Sequence, residues 1–99
     1  MDARFSWDAA KAERNNRAHG ISFEIAQEVF DDPNHVAGTN YFFEAEGEQR
    51  YQVIGMTRGL IVLLVVFVDR SEPDLEVLRI ISARKAVSYE KNIYEDQFR

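Results

Sequence analysis

The 99-residue chain contains no cysteine. That excludes disulfides, thiolate metal ligands and a thiol nucleophile, and it fits a reducing compartment. Proline occurs twice and glycine five times, too few for a linker-rich or low-complexity chain. The two histidines, His19 and His35, fall in different expected elements without ligand spacing, so neither a metal nor a cofactor is expected. There is no glycine-rich phosphate loop and no Gly-x-Ser-x-Gly turn. The longest apolar run, Leu60 to Val68, is nine residues, whereas a membrane helix needs about 20. The polar start Met1-Asp2-Ala3-Arg4 is followed by no apolar signal region. These features predict a soluble, cytoplasmic protein forming a single domain over residues 1–99.

What is present is acidic and ordinarily hydrophobic: net charge −5, with 45% hydrophobic and 12% aromatic residues, enough for one core. Acidic bulk argues against nucleic acid as a partner. The charge is unevenly spread, however. Residues 21–76 carry eleven acidic and three basic side chains, while residues 1–20 and 77–99 are each net positive. If the fold joins the two ends, a local basic patch forms on an acidic protein. The acidic middle would equally suit a basic partner.

The pattern predicts an α+β layer fold, a small antiparallel β-sheet of four main strands plus a short N-terminal strand, with two N-terminal helices and one C-terminal helix covering one face. Phe5-Ser6-Trp7 alternates as the short strand. Asp8 caps a helix from Ala9 to Ala18, with Ala9, Ala12 and Asn16 toward the core. His19 closes it and Gly20 supplies the left-handed position beyond. Ser22 caps a second helix, faced by Phe23, Ala26 and Phe30, which Asp31-Asp32-Pro33 ends. Strands follow over His35–Glu44, with Thr39, Tyr41 and Phe43 on one face, and over Gln49–Met56, with Arg50, Gln52 and Ile54 opposite Tyr51 and Val53. Glu46-Gly47 turns between them. Leu60–Val68 reads as a central strand apolar on both faces, and Leu75–Ser82 as the last. A closing helix is expected over Ala83–Gln97.

The stretch Val77-Leu78-Arg79-Ile80-Ile81-Ser82-Ala83-Arg84-Lys85-Ala86 carries the main question. It reads as a strand that becomes a helix at Ser82, its N-cap, with Arg79 on the strand and Arg84 in the first helical turn. A guanidinium among apolar strand residues needs an anionic partner. An arginine in a first helical turn opposes the helix dipole, although the free N–H groups there attract anions. A carboxylate such as Glu76, a partner protein and a phosphate all satisfy the demand, and the residues alone leave the choice open.

Taken in order, several blocks are together familiar: Phe5-Ser6-Trp7-Asp8 with Lys11 and Asn15, His19-Gly20-Ile21-Ser22-Phe23-Glu24-Ile25-Ala26, Val29-Phe30-Asp31-Asp32-Pro33, Glu48-Gln49-Arg50-Tyr51 with Ile54-Gly55, and Arg79-Ile80-Ile81-Ser82-Ala83-Arg84-Lys85-Ala86 with Glu90 and Tyr94. The ordered set resembles the BrnT toxin family over nearly the whole chain. The resemblance implies a type II toxin–antitoxin ribonuclease of RelE-like fold, neutralised by a BrnA-like ribbon-helix-helix antitoxin, with RNA as substrate and DNA contacted only through the antitoxin. Where the family usually has a lysine directly before the His-Gly pair, this chain has Ala18. The alternative is a toxin-like binding module that acts mainly through its antitoxin.

Metal-independent RNA cleavage uses the 2′-OH as nucleophile. It needs a proton acceptor, cations for the phosphorane and a donor for the leaving oxygen. Arg50, Arg79 and Arg84 suit the phosphorane, and His19 suits proton transfer. Lys11, Lys85 and Tyr94 are the expected RNA contacts, with Tyr94 also a candidate proton donor. The competing structural reading makes Arg79 and Arg84 internal salt-bridge residues.

Overall fold

The computed structural model describes residues 4–37, 41–43 (backbone only) and 47–99. The expected faces of Thr39, Tyr41 and Phe43, and the positions of Glu44 and Glu46, lie outside what is described.

After β1 (Arg4–Ser6), α1 (Ala9–His19) starts where the Asp8 carboxylate accepts the N–H groups of Ala10 (2.8 Å) and Lys11 (3.1 Å). It stops at Gly20, whose φ of 69° suits a residue without a Cβ and whose N–H donates to the Asn16 carbonyl. Ser22 Oγ accepts the Ile25 N–H and opens α2 (Phe23–Ala26), a single turn that continues as a 3₁₀ helix over Gln27–Asp31. Pro33 pushes Asp32 into an extended conformation there, and helical structure ends.

The strands are β2 (Val36–Ala37), β3 (Tyr41–Phe43), β4 (Glu48–Met56), β5 (Val62–Asp69) and β6 (Val77–Lys85). Their order is β1-β6-β5-β4-β2, with β3 also paired to β4. Of the stretch expected as one strand over His35–Glu44, the described residues include β2 and β3, both paired with β4. The sheet is also mixed rather than antiparallel. β1 lies parallel to β6, with Ser6 opposite Arg79. The short connections that predict antiparallel neighbours constrain only strands adjacent in sequence, and β1 and β6 are not.

The largest correction concerns the end of the chain. Ser82 is no helix cap. β6 stays paired with β5 as far as Leu63 opposite Lys85, and the Ala86 N–H adds one more bond to the Val62 carbonyl. Pairing with a long apolar neighbour outweighs the local capping signal. The last helix, α3 (Ser88–Asp96), therefore begins beyond both arginines.

Helices cover both faces, not one. Toward α1 and α2, the buried side chains of Ile21, Phe23, Ala26 and Val29 pack on Val53, Leu63, Val65, Ile80 and Ala83. Gly55 lies so close under the 3₁₀ helix that a Cβ there would sit 2.9 Å from Val29 Cβ. On the other face, Tyr94 of α3 packs on Ile54 and Leu64 in a smaller cluster. In α1 the buried residue is Asn15, whereas Ala9 and Asn16 are exposed. Its amide donates to the carbonyls of Ile21 (3.0 Å) and Ala83 (2.8 Å), and its oxygen accepts the Ala83 N–H (3.1 Å). One side chain thereby ties α1 to the edge of β6.

Candidate functional site

Side chains alternate along a strand, so residues five apart on β6 would ordinarily face opposite ways. The register shows one irregularity. Val66 pairs with Ser82, but the next residue, Phe67, pairs with Ile80, leaving Ile81 as a bulge. Arg79, Ser82 and Arg84 consequently share one face, the face away from α1 and α2. Arg84 pairs in register with Leu64 and, across β5, Ile54. Alternation along β4 puts Arg50 on this same face. The three arginines expected to act together do share a surface.

Their environments differ. Arg84 is clamped by Glu90 of α3 through two bonds, Nη1 to Oε1 at 2.7 Å and Nη2 to Oε2 at 2.9 Å. Glu90 is buried and also accepts the Val87 N–H at the start of α3. Burial raises the Glu90 carboxyl, but the Arg84 bonds and the Val87 N–H outweigh it and hold the group below the usual range. The Glu90 bond in turn raises Arg84 above the usual guanidinium value, against the smaller opposing effect of burial. Arg50 is buried, its Nε 3.5 Å from Glu48 Oε1. Arg79 is half-buried and forms no ion pair among the described residues. Asp8 lies within reach of its field, but that carboxyl is lowered chiefly by the Lys11 and Ala10 N–H groups, with Arg79 and Arg14 adding less. Arg79 is the guanidinium here left to take an external anion.

Of the remaining expected residues, Lys11 is half-buried in the first turn of α1, and Lys85 is exposed at the end of β6. His19 is exposed at the end of α1, in the layer on the other side of the sheet, and no hydrogen bond or ion pair links it to any arginine among the described residues. Tyr94 is buried, and its hydroxyl donates to Asp32 Oδ2 at 2.6 Å. Burial first, then that bond and the Asp32 charge, push the phenol up to about 12. Asp32 also accepts the N–H groups of Met56 and Asn34; burial opposes its ionisation, yet these bonds together hold it low. Asp32 therefore does more than end a helix: it anchors α3. Glu90 had no role assigned from the sequence, where only the order of the blocks marked it, and Asp32 was read there only as part of a helix stop.

The family model for the ribonuclease toxin BrnT of type II toxin–antitoxin systems matches residues 7–90. The chain belongs to the BrnT family. The match spans Lys11, His19, Arg50, Arg79, Arg84 and Glu90, and it ends before Tyr94. The crystal structure of the Brucella abortus ribonuclease toxin BrnT is similar to this chain at 25% identity and a TM-score of 0.55, covering 88% of this chain and all of that one. No curated protein matched the chain. Membership in this family makes the protein a toxin of the ribonuclease class and implies an antitoxin partner. No helix among the described residues is long and apolar enough to cross a membrane.

Proposed function

We propose that the chain acts as one RelE-like endoribonuclease domain in the cytoplasm, cleaving RNA without metal by transesterification, and that a BrnA-like ribbon-helix-helix antitoxin neutralises it. The observation that carries this is the open guanidinium of Arg79 on a sheet face shared with Arg84 and Arg50. Arg79 and Arg84 lie about 15 Å apart along β6, too far to grip one phosphate together. The spacing suits phosphates of a single strand that are not immediate neighbours, with Arg79 at the scissile one. Arg84, steadied by Glu90, and Arg50, buried beside Glu48, shape and charge the face around it. Lys11 and Lys85 extend the positive surface at its borders. His19 is the imidazole assigned to proton transfer.

The test is cleavage of RNA by purified, antitoxin-free protein in EDTA. Arg79→Ala should slow it about tenfold or more, roughly 1.4 kcal/mol of transition-state stabilisation. Intact RNA with the unaltered chain would overturn the enzymatic reading. The Arg84–Glu90 clamp specifically favours the second reading, a weakened toxin that chiefly binds its antitoxin, because it engages the guanidinium that would otherwise meet phosphate. Tight antitoxin binding without RNA cleavage would establish that reading instead.

A further inference from the structure

On the face opposite the arginines, a cleft of about 550 Å³ opens between the 3₁₀ helix, β1 and the ends of β4, β5 and β6. Four aromatic rings form its floor in sequence. Phe5 meets Phe30 at 5.1 Å, Phe30 meets Phe67 at 5.2 Å, and Phe67 stacks on Tyr51 at 5.7 Å. None of the four is fully buried. Among the described residues, the carboxylates of Asp31, Asp69 and Glu76 stand around it, and the only basic side chain lining it is that of His35.

We infer that this cleft receives a cationic segment of the antitoxin, an arginine or lysine flanked by apolar residues, and serves as the docking site for the partner. The inference rests on the toxin–antitoxin reading above and names the surface that reading would use. Aromatic faces attract a cation placed over them and bind the apolar stem that carries it. Flanking carboxylates complete the charge match through charge-assisted bonds. Asp69 is kept ionised by the side chain and N–H of Ser71, and among the described residues Asp31 is engaged by a loose, exposed pair with Arg58. The same carboxylates repel phosphate, so RNA is a poor occupant although the floor would stack a base. The charge division of the chain thus becomes a division of faces: arginines toward RNA, acids toward the protein partner.

The experiment titrates the antitoxin from the adjoining reading frame into the unaltered chain and into a triple variant, Asp31→Asn, Asp69→Asn and Glu76→Gln. These side chains are exposed, so the fold should survive, and circular dichroism verifies it. The triple variant should bind about tenfold or more weakly and lose most of the salt dependence of binding, while RNA cleavage is unchanged. Equal affinity for both chains would overturn the inference and leave the toxin reading intact. Loss of RNA cleavage in the triple variant would also overturn it, assigning the cleft to RNA. No binding by the unaltered chain would instead sink the toxin–antitoxin reading and the inference with it. Arg79→Ala, on the other face, should bind the antitoxin normally.

Discussion

Arg79 and Arg84 face the same side of the sheet only because Ile81 between them is bulged out of the ladder. Without the bulge, alternation would turn one guanidinium toward the apolar layer beneath α1. Deleting Ile81 should therefore cost more than about 3 kcal/mol, the penalty of an unpaired buried charge, or shift the register of β6. Ile81→Ala preserves the residue count and should cost only about 1 kcal/mol. Urea unfolding of the two variants separates register from side-chain packing.

The Arg84–Glu90 clamp sets the response of the fold to acid. Glu90 and Asp32 both titrate below their ordinary values of 4.5 and 3.8 in the folded chain. The unfolded chain therefore takes up protons first. Their stabilisation is complete above about pH 5 and is lost as the pH falls through the folded values. Glu90→Gln should lower stability at neutral pH by about 2 kcal/mol, less than the roughly 3–5 kcal/mol of a fully buried broken pair because Arg84 remains partly exposed. It should also flatten the decline between pH 5 and 3, as followed by thermal unfolding.

How much of this was legible in the chain depends on the range of the interaction. Asp8, Gly20, Ser22 and Pro33 act within a few residues, and each boundary they set is where the sequence puts it. The continuation of β6 past Ser82 depends on β5 across the ladder, a long-range effect that a serine before an alanine does not reveal. The bulge at Ile81 is equally invisible, since nothing in Arg-Ile-Ile-Ser-Ala-Arg distinguishes the first isoleucine from the second. For that reason the two arginines could be named as candidates while their shared face could not. Asn15, too, lies beside the position chosen for the core; its burial follows from backbone groups of Ile21 and Ala83 that no sequence pattern places next to it.

Tyr94 should behave as a structural phenol. Burial and the Asp32 charge carry its ionisation up to about 12, so an absorbance titration should show a late step that Tyr94→Phe removes. Because the folded value lies above that of the free phenol, the unfolded chain releases this proton first. Stability should fall as the pH rises from about 10 toward 12. Asp32→Asn should bring the late step down by removing the charge. Tyr94→Phe should leave RNA cleavage within about twofold; a larger loss would restore the tyrosine to the chemistry.

Asn15→Ala should be among the costliest single changes in α1. It leaves the Ile21 carbonyl and both backbone groups of Ala83 without their side-chain partner, a penalty of about 2–4 kcal/mol. Asn15→Asp keeps the acceptor for the Ala83 N–H but faces two carbonyls with a carboxylate, and should be no milder. Hydrogen exchange should show α1 opening in Asn15→Ala before the β4–β5 ladder does.

The roles given to His19 and Arg79 separate in a pH–rate profile. If the imidazole moves a proton during cleavage, His19→Ala should lower the rate about 10²–10⁴-fold and remove a limb of the profile. Arg79→Ala should lower the rate at every pH and leave the shape unchanged, because a guanidinium stays charged throughout. His19 stands in the helical layer across the sheet from the arginines, so its participation requires RNA to pass around the edge formed by β1. That path brings the strand by Lys11 in the first turn of the same helix and Arg14 at its middle. Lys11→Ala should then weaken RNA binding more at low salt than at high. An unchanged profile in His19→Ala would place proton transfer on the arginine face itself, with the carboxylates beside Arg79 and Arg84, Asp8 and Glu90, as the next groups to test.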